Sequence, residues 1–359
     1  MSGDVRILLL GDSHLGFDLP VRPRSGRRRR GYDFLANYAI ALEPALRGEV
    51  DLVVHAGDVF DRPSVVPSIA YQAYQPLKRV ADTGVPVFIV PGNHERSQLP
   101  HASLAAHPGI HVFARPRTIL IDVRGATVAL SGFPYERREV RTRFAELLEA
   151  TAWRDHRAEH RLLCIHHCVE GATVGPASFT FTTAADVIRV RDIPGDFAAV
   201  FSGHIHRHQV LTANRGSRCA PVLYPGSIER TSFAEMDEAK GFMMVTLGGG
   251  AHDVRWERRR LPARPMLRRE LDAGAMSASG LDAAVRRAIA EAAHDAVLSI
   301  RVAGALTPAH SRAISAARVR ALTPPTMNVE VVPVDGYVSS ERVSVRGAER
   351  SVAAQLSLY

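Results

Sequence analysis

Five short stretches carry the side chains that could do chemistry. Asp12 and His14 stand in GDSH, Asp58 in AGD, Asn93 and His94 in PGNHE, His166 in RLLCIHH, and His204 and His206 in GHIH. Together they offer carboxylate oxygens, one amide oxygen and imidazole nitrogens, with no thiolate. A mixed N/O set suits Mn, Fe or Zn, whereas Mg and Ca prefer oxygen alone. The lack of Cys in the set argues against a structural zinc. Two divalent ions about 3.5–4 Å apart, with one carboxylate bridging them, lower the pKa of a trapped water and shield phosphate oxygens. Those are the requirements of in-line phosphoester hydrolysis. Taken singly the stretches say little. An Asp-x-His is commonly a solvated loop pair, Gly-Asp after a strand is turn chemistry, and Pro-Gly-Asn-His reads as a type II turn. The signal lies in all five occurring together, each after a strand.

The elements that must position them follow from periodicity. VRILLL (5–10), DLVVH (51–55) and PVFIV (86–90) read as buried strands, with helices predicted over 33–46 and 67–82 between them. That rhythm argues for parallel pairing with crossover helices. Shorter β-like runs follow at 110–113, 118–123 and 126–131, then a helix over 136–150. RLLCIHH (161–167) and FAAVFSGHIH (197–206) repeat the strand-then-His pattern. GFMMVTL (241–247) and HDVRWERRR (252–260) close the region, the latter alternating as a strand with one wet face should. In open α/β sheets the ligand crevice lies outside the carboxyl ends of the strands, where all five stretches fall. Gly11, Gly57, Gly92 and Gly203 let the backbone turn and approach closely there.

After LPARP the texture changes. A strand PMLRREL, an Ala-rich helix (281–294), a strand AVLSIRV (296–302), a helix around 308–320 and a last strand MNVEVV (327–332) suggest a small α+β appendage over 263–335. The stretch 336–359 has little periodicity and reads as a tail or docking segment.

With 359 residues, 46% hydrophobic and 23% charged, the chain can build a large core plus a smaller domain. No apolar run reaches 18 residues, so no membrane span is expected. MSGDVR leads straight into a strand, so no signal peptide is expected. Three cysteines, Cys164, Cys168 and Cys219, are too few for a disulfide framework and suit a reducing cytoplasm. The net charge of +8 is carried almost entirely by Arg, since Lys78 and Lys240 are the only lysines. Arg22, Arg24 and Arg27 to Arg30 crowd one segment, and Arg255, Arg258, Arg259 and Arg260 another. Biased codon usage would explain the total. The clustering instead points to a polyanionic partner such as a phosphate backbone. Arg27, Arg28, Arg29 and Arg30 follow the Asp12–His14 loop directly and are the candidates for gripping phosphates near the cleft.

Other side chains have plainer readings. His55 is a strand or supporting His, and His208, His101, His107 and His111 are surface or loop residues. Cys164 and Cys168 flank His166 but read as buried thiols. Glu95 either orients His94 or caps the following turn.

The sequence resembles the calcineurin-like metallophosphoesterases and, among them, DNA repair exonuclease subunits of the SbcD type. GDVFDRP, PGNHE, VEGATVG, DVIRVRDIPGDFAAVFSGHIHRHQV and PVLYPGSIERTSFAEMDEAKGF carry the likeness over roughly residues 4–248. The resemblance implies a metallophosphoesterase β-sandwich flanked by helices, metals at the strand C-terminal ends, over residues 1–262. Residues 263–335 would then be the capping, DNA-binding domain. It implies one metal held by Asp12, His14, Asp58 and His206, and a second held by Asp58, Asn93, His166 and His204. His94 would protonate the leaving oxygen or stabilise the transition state. His166 is chosen over His167 because the ligand in that pattern is the first His after the apolar run. Two divalent ions, most often Mn, are implied, with an SbcC-like ABC-type ATPase of coiled-coil architecture as partner and homodimer formation a further expectation. Two departures stand out. Asp61 occupies a position where many relatives have His, and the chain beyond 335 is short for an ATPase-docking segment. The expected function is DNA phosphodiester hydrolysis in repair. A phosphoesterase acting on a small ester such as a cyclic nucleotide, and a non-catalytic DNA-binding scaffold, are the alternatives.

Overall fold

The computed structural model describes residues 3–19, 27–95, 104, 106–212 and 220–334. Arg22, Arg24, His101, Cys219 and the 336–359 segment lie outside the described residues. The chain runs β1 (Val5–Leu10), α1 (Gly31–Leu46), β2 (Leu52–His55), α2 (Pro67–Asp82), β3 (Val87–Ile89), β4 (Ile110–Val112), β5 (Arg117–Val123) and β6 (Ala126–Gly132). Next come α3 (Val140–Glu149), β7 (His160–Ile165), β8 (Cys168–Val169), β9 (Thr173–Val174), β10 (Phe179–Thr180), β11 (Val187–Ile188), β12 (Ala199–Ser202), β13 (Gln209–Leu211) and β14 (Val222–Tyr224). β15 (Gly241–Leu247) and β16 (Val254–Arg260) complete this part.

Two six-stranded mixed sheets result, in the orders β16-β15-β1-β2-β3-β4 and β13-β14-β12-β7-β6-β5. The β1–β4 strands pair in parallel, as the strand–helix rhythm requires, with Leu10 opposite His55 and Val54 opposite Phe88. β6, β7, β12 and β14 are likewise parallel. Because side chains alternate along a strand, β1 sends Val5, Ile7 and Leu9 to one face and Leu8 and Leu10 to the other. The first set meets Val128, Leu130, Leu162, Phe201 and Leu223 of the second sheet in a dry core between the sheets. The second set packs under Phe34, Tyr38 and Leu42 of α1 and Leu77 of α2. A third core, around Phe133, Phe144, Leu163 and Phe197, covers the outer face of the second sheet. The parallel strands of both sheets are therefore apolar on both faces, which is why they read as continuous apolar runs.

The remaining elements are β17 (Met266–Asp272), α4 (Ala278–Glu291), β18 (Val297–Ala303), α5 (Pro308–Ala313), α6 (Ala316–Leu322) and β19 (Asn328–Val334). The three strands form their own sheet, all parallel, over a core that includes Leu281, Val285, Leu298 and Ile300. α4 starts three residues earlier than its periodicity suggests because the Ser277 hydroxyl accepts from the Gly280 N–H. The single helix expected around 308–320 is two. Ser315 breaks it and caps α6 by accepting from the Arg318 N–H. α3 begins at Val140, since Glu139 sits in the left-handed region at φ 52°.

Arg264 ties this part to the rest. Its buried guanidinium reaches Asp33 Oδ2 of α1 at 3.0 Å, Asn328 Oδ1 at 2.7 Å and the Thr326 carbonyl at 2.9 Å. No helix among the described residues is long and apolar enough to cross a membrane.

Candidate metal centre

The loops after β1, β2, β3, β7 and β12 open at the same end of the two sheets. They bring Asp12, His14, Asp58, Asn93, His94, His166, His204 and His206 together. Three overlapping groups have ligand atoms within 4.8 Å of one another: Asp12, His14 and His206; His14, Asp58 and His94; and Asp12, Asp58 and His166. His166 Nε2 lies 3.3 Å from Asp58 Oδ2 and 3.1 Å from Asn93 Oδ1, and His204 Nδ1 lies 2.9 Å from the same Asn93 oxygen. His14 Nε2 faces His206 Nε2 at 2.9 Å. Asp58 is central, its Oδ2 also 3.9 Å from both His14 Nε2 and His94 Nε2.

The backbone is bent to achieve this. Asp12, His14, Asp58 and His204 have φ of 48°, 43°, 50° and 77°, in the left-handed region that non-glycine residues rarely occupy. Strain of that kind persists where surrounding structure over-determines it, and it concentrates at functional sites. Gly57 is required on two counts. Its φ is +105°, and a Cβ there would stand 2.2 Å from His166 Nδ1.

Supporting contacts settle which nitrogen each ring turns to the cluster. His166 Nδ1 donates to the Ala56 carbonyl at 2.7 Å, leaving Nε2 inward. His206 Nδ1 donates to Glu235 Oε1 at 3.0 Å. His94 Nδ1 donates to the Asp61 main-chain carbonyl at 2.5 Å, and its Nε2 faces the cleft. A main-chain atom of Asp61 thus supplies this orientation, independently of its side chain. The Asp61 side chain instead lies 3.9 Å from His14 Nδ1. Behind the cluster, the Ser13 hydroxyl and His55 Nε2 pair at 2.8 Å. Glu95 accepts from the N–H groups of Asp58 (3.1 Å), Phe60 (2.9 Å) and Gly92 (2.7 Å), and so clamps the β2 and β3 loops together.

The electrostatics fit a cation. Burial holds the His14 and His204 imidazoles well below their ordinary value, in the neutral form that can ligate. Burial acts the same way on His166, but Asp58 and Asp12 outweigh it and raise His166 to about 9. A proton there supplies positive charge that the two carboxylates demand. Asp12 Oδ2 and His14 Nδ1 are buried without a hydrogen-bond partner. An orphaned carboxylate oxygen beside two facing imidazole nitrogens is what a cation-binding set leaves when considered without its ion.

His167 turns away, stacked 4.9 Å from the Tyr135 ring and accepting from the Glu136 N–H at 2.9 Å. Cys164 and Cys168 enter different cores and share nothing with His166. The cleft over the cluster holds about 410 Å³ and is lined further by Tyr135, Arg207, Ser232 and Glu238. Glu235, Lys240, Arg207 and Tyr135 escape motif reasoning. Glu235 and Lys240 fall within the PVLYPGSIERTSFAEMDEAKGF block that carries the resemblance, and Arg207 within GHIHRHQV, but no role attaches to them there.

The basic segment divides. Arg30 is 9% exposed, donates to the Arg230 carbonyl and lies 5.2 Å over the Phe17 ring, so the fold consumes it. Arg28 pairs with Asp33 at 2.6 Å, Arg29 with Asp18, and Arg27 donates to the Arg320 carbonyl. Arg29 also lines a depression of about 360 Å³ that meets the cleft at Asp61. In the second cluster, Arg255 and Arg259 pair with Asp4 and Glu49, so much of its charge is balanced within the chain.

The profile of the calcineurin-like phosphoesterases matches residues 5–208, more than half of the chain and every one of the clustered side chains. The chain belongs to this family. Its members use a dimetal site, and the clustered Asp and His side chains are of the kind that holds one. Among curated relatives of this phosphoesterase is the DNA double-strand break repair protein Mre11 of Aeropyrum pernix, 26% identical over 75% of this chain and 64% of that protein. The SbcD component of the SbcCD nuclease of Bacillus subtilis is 28% identical over 70% of this chain and 68% of its own length. An uncharacterized metallophosphoesterase of the same bacterium, YhaO, is 26% identical over 60% and 52%. The chain thus spans between about half and two thirds of these relatives.

Proposed function

We propose that this phosphoesterase is a two-metal phosphodiesterase that hydrolyses DNA, an SbcD-like exonuclease subunit in repair. The observation that carries the reading is the convergence of seven candidate ligands and His94 at one end of both sheets, around a single central carboxylate, Asp58. Asp12, His14, Asp58 and His206 would hold one ion, and Asp58, Asn93, His166 and His204 the other. The ions would most often be Mn, with Fe or Zn compatible with the same donors. When bound, such a pair supplies an activated water and neutralises charge on the phosphate.

The chain's own residues do the rest. Asp58 spans the two halves, Asn93 Oδ1 joins His166 and His204 of one half, and the Ala56 carbonyl fixes the His166 tautomer. His94, 33% exposed and oriented by the Asp61 carbonyl, presents Nε2 to the cleft, where it would protonate the departing oxygen or stabilise the transition state. No side-chain nucleophile enters this scheme, so no covalent intermediate on the protein is expected. Arg29 and Arg27 or Arg28 would contact phosphates further along the strand, with Arg30 confined to holding the segment. The choice of DNA is supported by the relatives' names, Mre11 and the SbcCD nuclease. The SbcCD name supports an SbcC-like partner; the ABC-type ATPase character of that partner, a cytoplasmic setting, a homodimer and a capping role for residues 263–335 rest on the family resemblance alone.

The test is turnover of linear DNA beside bis(p-nitrophenyl) phosphate, with Mn or EDTA, for wild type and His94→Ala. Mn-dependent DNA degradation, abolished by EDTA and depressed in the variant, is expected. Hydrolysis of the small ester with no DNA degradation, even with the ATPase present, would select the small-phosphoester alternative. DNA binding with no turnover of either would select the scaffold.

A further inference from the structure

One wall of the cleft is built from the loop between β14 and β15, a stretch with no assigned part in the chemistry. Glu235 Oε1 accepts from His206 Nδ1 at 3.0 Å and from the Thr231 hydroxyl at 2.7 Å. Its other oxygen, Oε2, meets Lys240 Nζ at 2.7 Å. Lys240 is 1% exposed, and its ammonium has two more acceptors, Glu238 Oε2 at 2.9 Å and the main-chain carbonyl of His206 at 3.0 Å. Three donors face three acceptors, so the buried charge is fully satisfied. Glu238 uses its second oxygen for Arg207 Nε at 2.8 Å, and Arg207 reaches the Gly175 carbonyl at 2.5 Å.

The identity of residue 240 is informative. Only two of the 45 lysine and arginine residues are lysine. A chain that otherwise uses arginine keeps a lysine where a compact ammonium with three divergent donors is needed and a planar five-donor fork would not fit. That same lysine grips His206 twice, through its carbonyl and through Glu235.

We propose that Glu235, held in place by Lys240, is the positioning residue for His206: it fixes the tautomer that leaves Nε2 unprotonated toward Asp12 and His14, and so sets the cation affinity of that half of the centre. A carboxylate on the far nitrogen of a ligating His orients the ring and raises its basicity, and losing it costs about 10–100-fold in metal affinity. The inference rests on the two-ion reading of the centre and is independent of whether the substrate is DNA.

The experiment is calorimetric titration of Mn into EDTA-stripped protein, with a thermal melt of each metal-free sample. Wild type takes up two Mn per chain. Glu235→Gln keeps the side-chain volume, lowers the metal-free melting temperature because the buried Lys240 ammonium loses its carboxylate partner, and weakens one of the two sites by about 10–100-fold, leaving the other as in wild type. Lys240→Arg weakens the same site, and the double variant is no weaker there than Glu235→Gln, because the lysine acts through the carboxylate. Should Lys240→Arg fail to fold, Glu235→Asp takes its place, withdrawing the carboxylate by one methylene with charge retained, and the same single site weakens. Two wild-type-like sites in Glu235→Gln would overturn the proposal. So would equal weakening of both sites, which would make Glu235 a scaffold residue. Fewer than two Mn in wild type would remove the two-ion reading itself and this inference with it.

Discussion

Asp12 shows most clearly what the centre demands of single residues. It is buried, holds a left-handed φ of 48°, and leaves Oδ2 without a partner, while its Oδ1 accepts from the His204 N–H at 2.9 Å. Burial raises its pKa, against the pull of His166 and His206. None of this helps an ion-free fold. Asp12→Asn keeps the accepted hydrogen bond, tolerates the left-handed conformation and removes a fully buried charge whose burial costs more than its neighbours return. It should therefore raise the stability of the EDTA-treated protein by about 1 kcal/mol while abolishing Mn-induced stabilisation. A metal-free variant melting below wild type would contradict that. His94 makes the complementary case, since its role is in the reaction and not in holding an ion. His94→Ala should lower kcat by about 10²–10⁴-fold and leave the uptake of two Mn unchanged in a calorimetric titration. Loss of an ion together with activity would instead make His94 a ligand, a role its membership of the His14–Asp58 group makes geometrically available.

At the scale of elements, the loops after β2 and β3 are joined by one carboxylate. Glu95 satisfies three backbone donors, and burial and the neighbouring Asp58 push its carboxyl up to about 8. Glu95→Gln has one acceptor oxygen for those donors and turns an NH₂ toward the rest. It should destabilise the metal-free protein by about 2 kcal/mol in urea unfolding, the cost of leaving buried N–H groups unpaired. A loss well under 1 kcal/mol would show that the clamp is dispensable. The strands that carry the site were legible in the sequence because parallel strands covered on both faces must be apolar throughout. Gly11, Gly57, Gly92 and Gly203, after four of the five runs, announced the turns that follow. The ends were harder to read. Whether the helix around 308–320 is one or two depended on a single serine capping locally, which apolar periodicity does not register. The Glu235–Lys240 wall was hidden for a related reason: charged residues in a loop look solvated until the fold shows them buried against one another. Arg30 misled in the opposite sense, being the one member of the basic run, among the described residues, that turns inward onto Phe17.

For the molecule as a whole, the question is how the C-terminal three-stranded sheet stays in register with the cleft. Arg264 bridges α1 and β19, and Arg28 reinforces it by donating its N–H to the Pro325 carbonyl at 2.9 Å while accepting from Asn328 Nδ2 at 3.1 Å. Arg264→Ala breaks a buried pair and takes a donor from the Thr326 and Asp295 carbonyls. It should cost about 3 kcal/mol and selectively speed hydrogen exchange in β17 to β19. Uniform acceleration across the chain would instead place the weakness in the large sandwich. In the proposed mechanism both halves of the cluster are needed, because Asp58 would contribute to holding both ions. Titrating EDTA-stripped protein with Mn while following degradation of linear DNA puts that requirement to the test. No hydrolysis is expected without metal, and the rate should saturate only as the second Mn per chain is taken up. Hydrolysis in EDTA, or full activity at one Mn per chain, would contradict it.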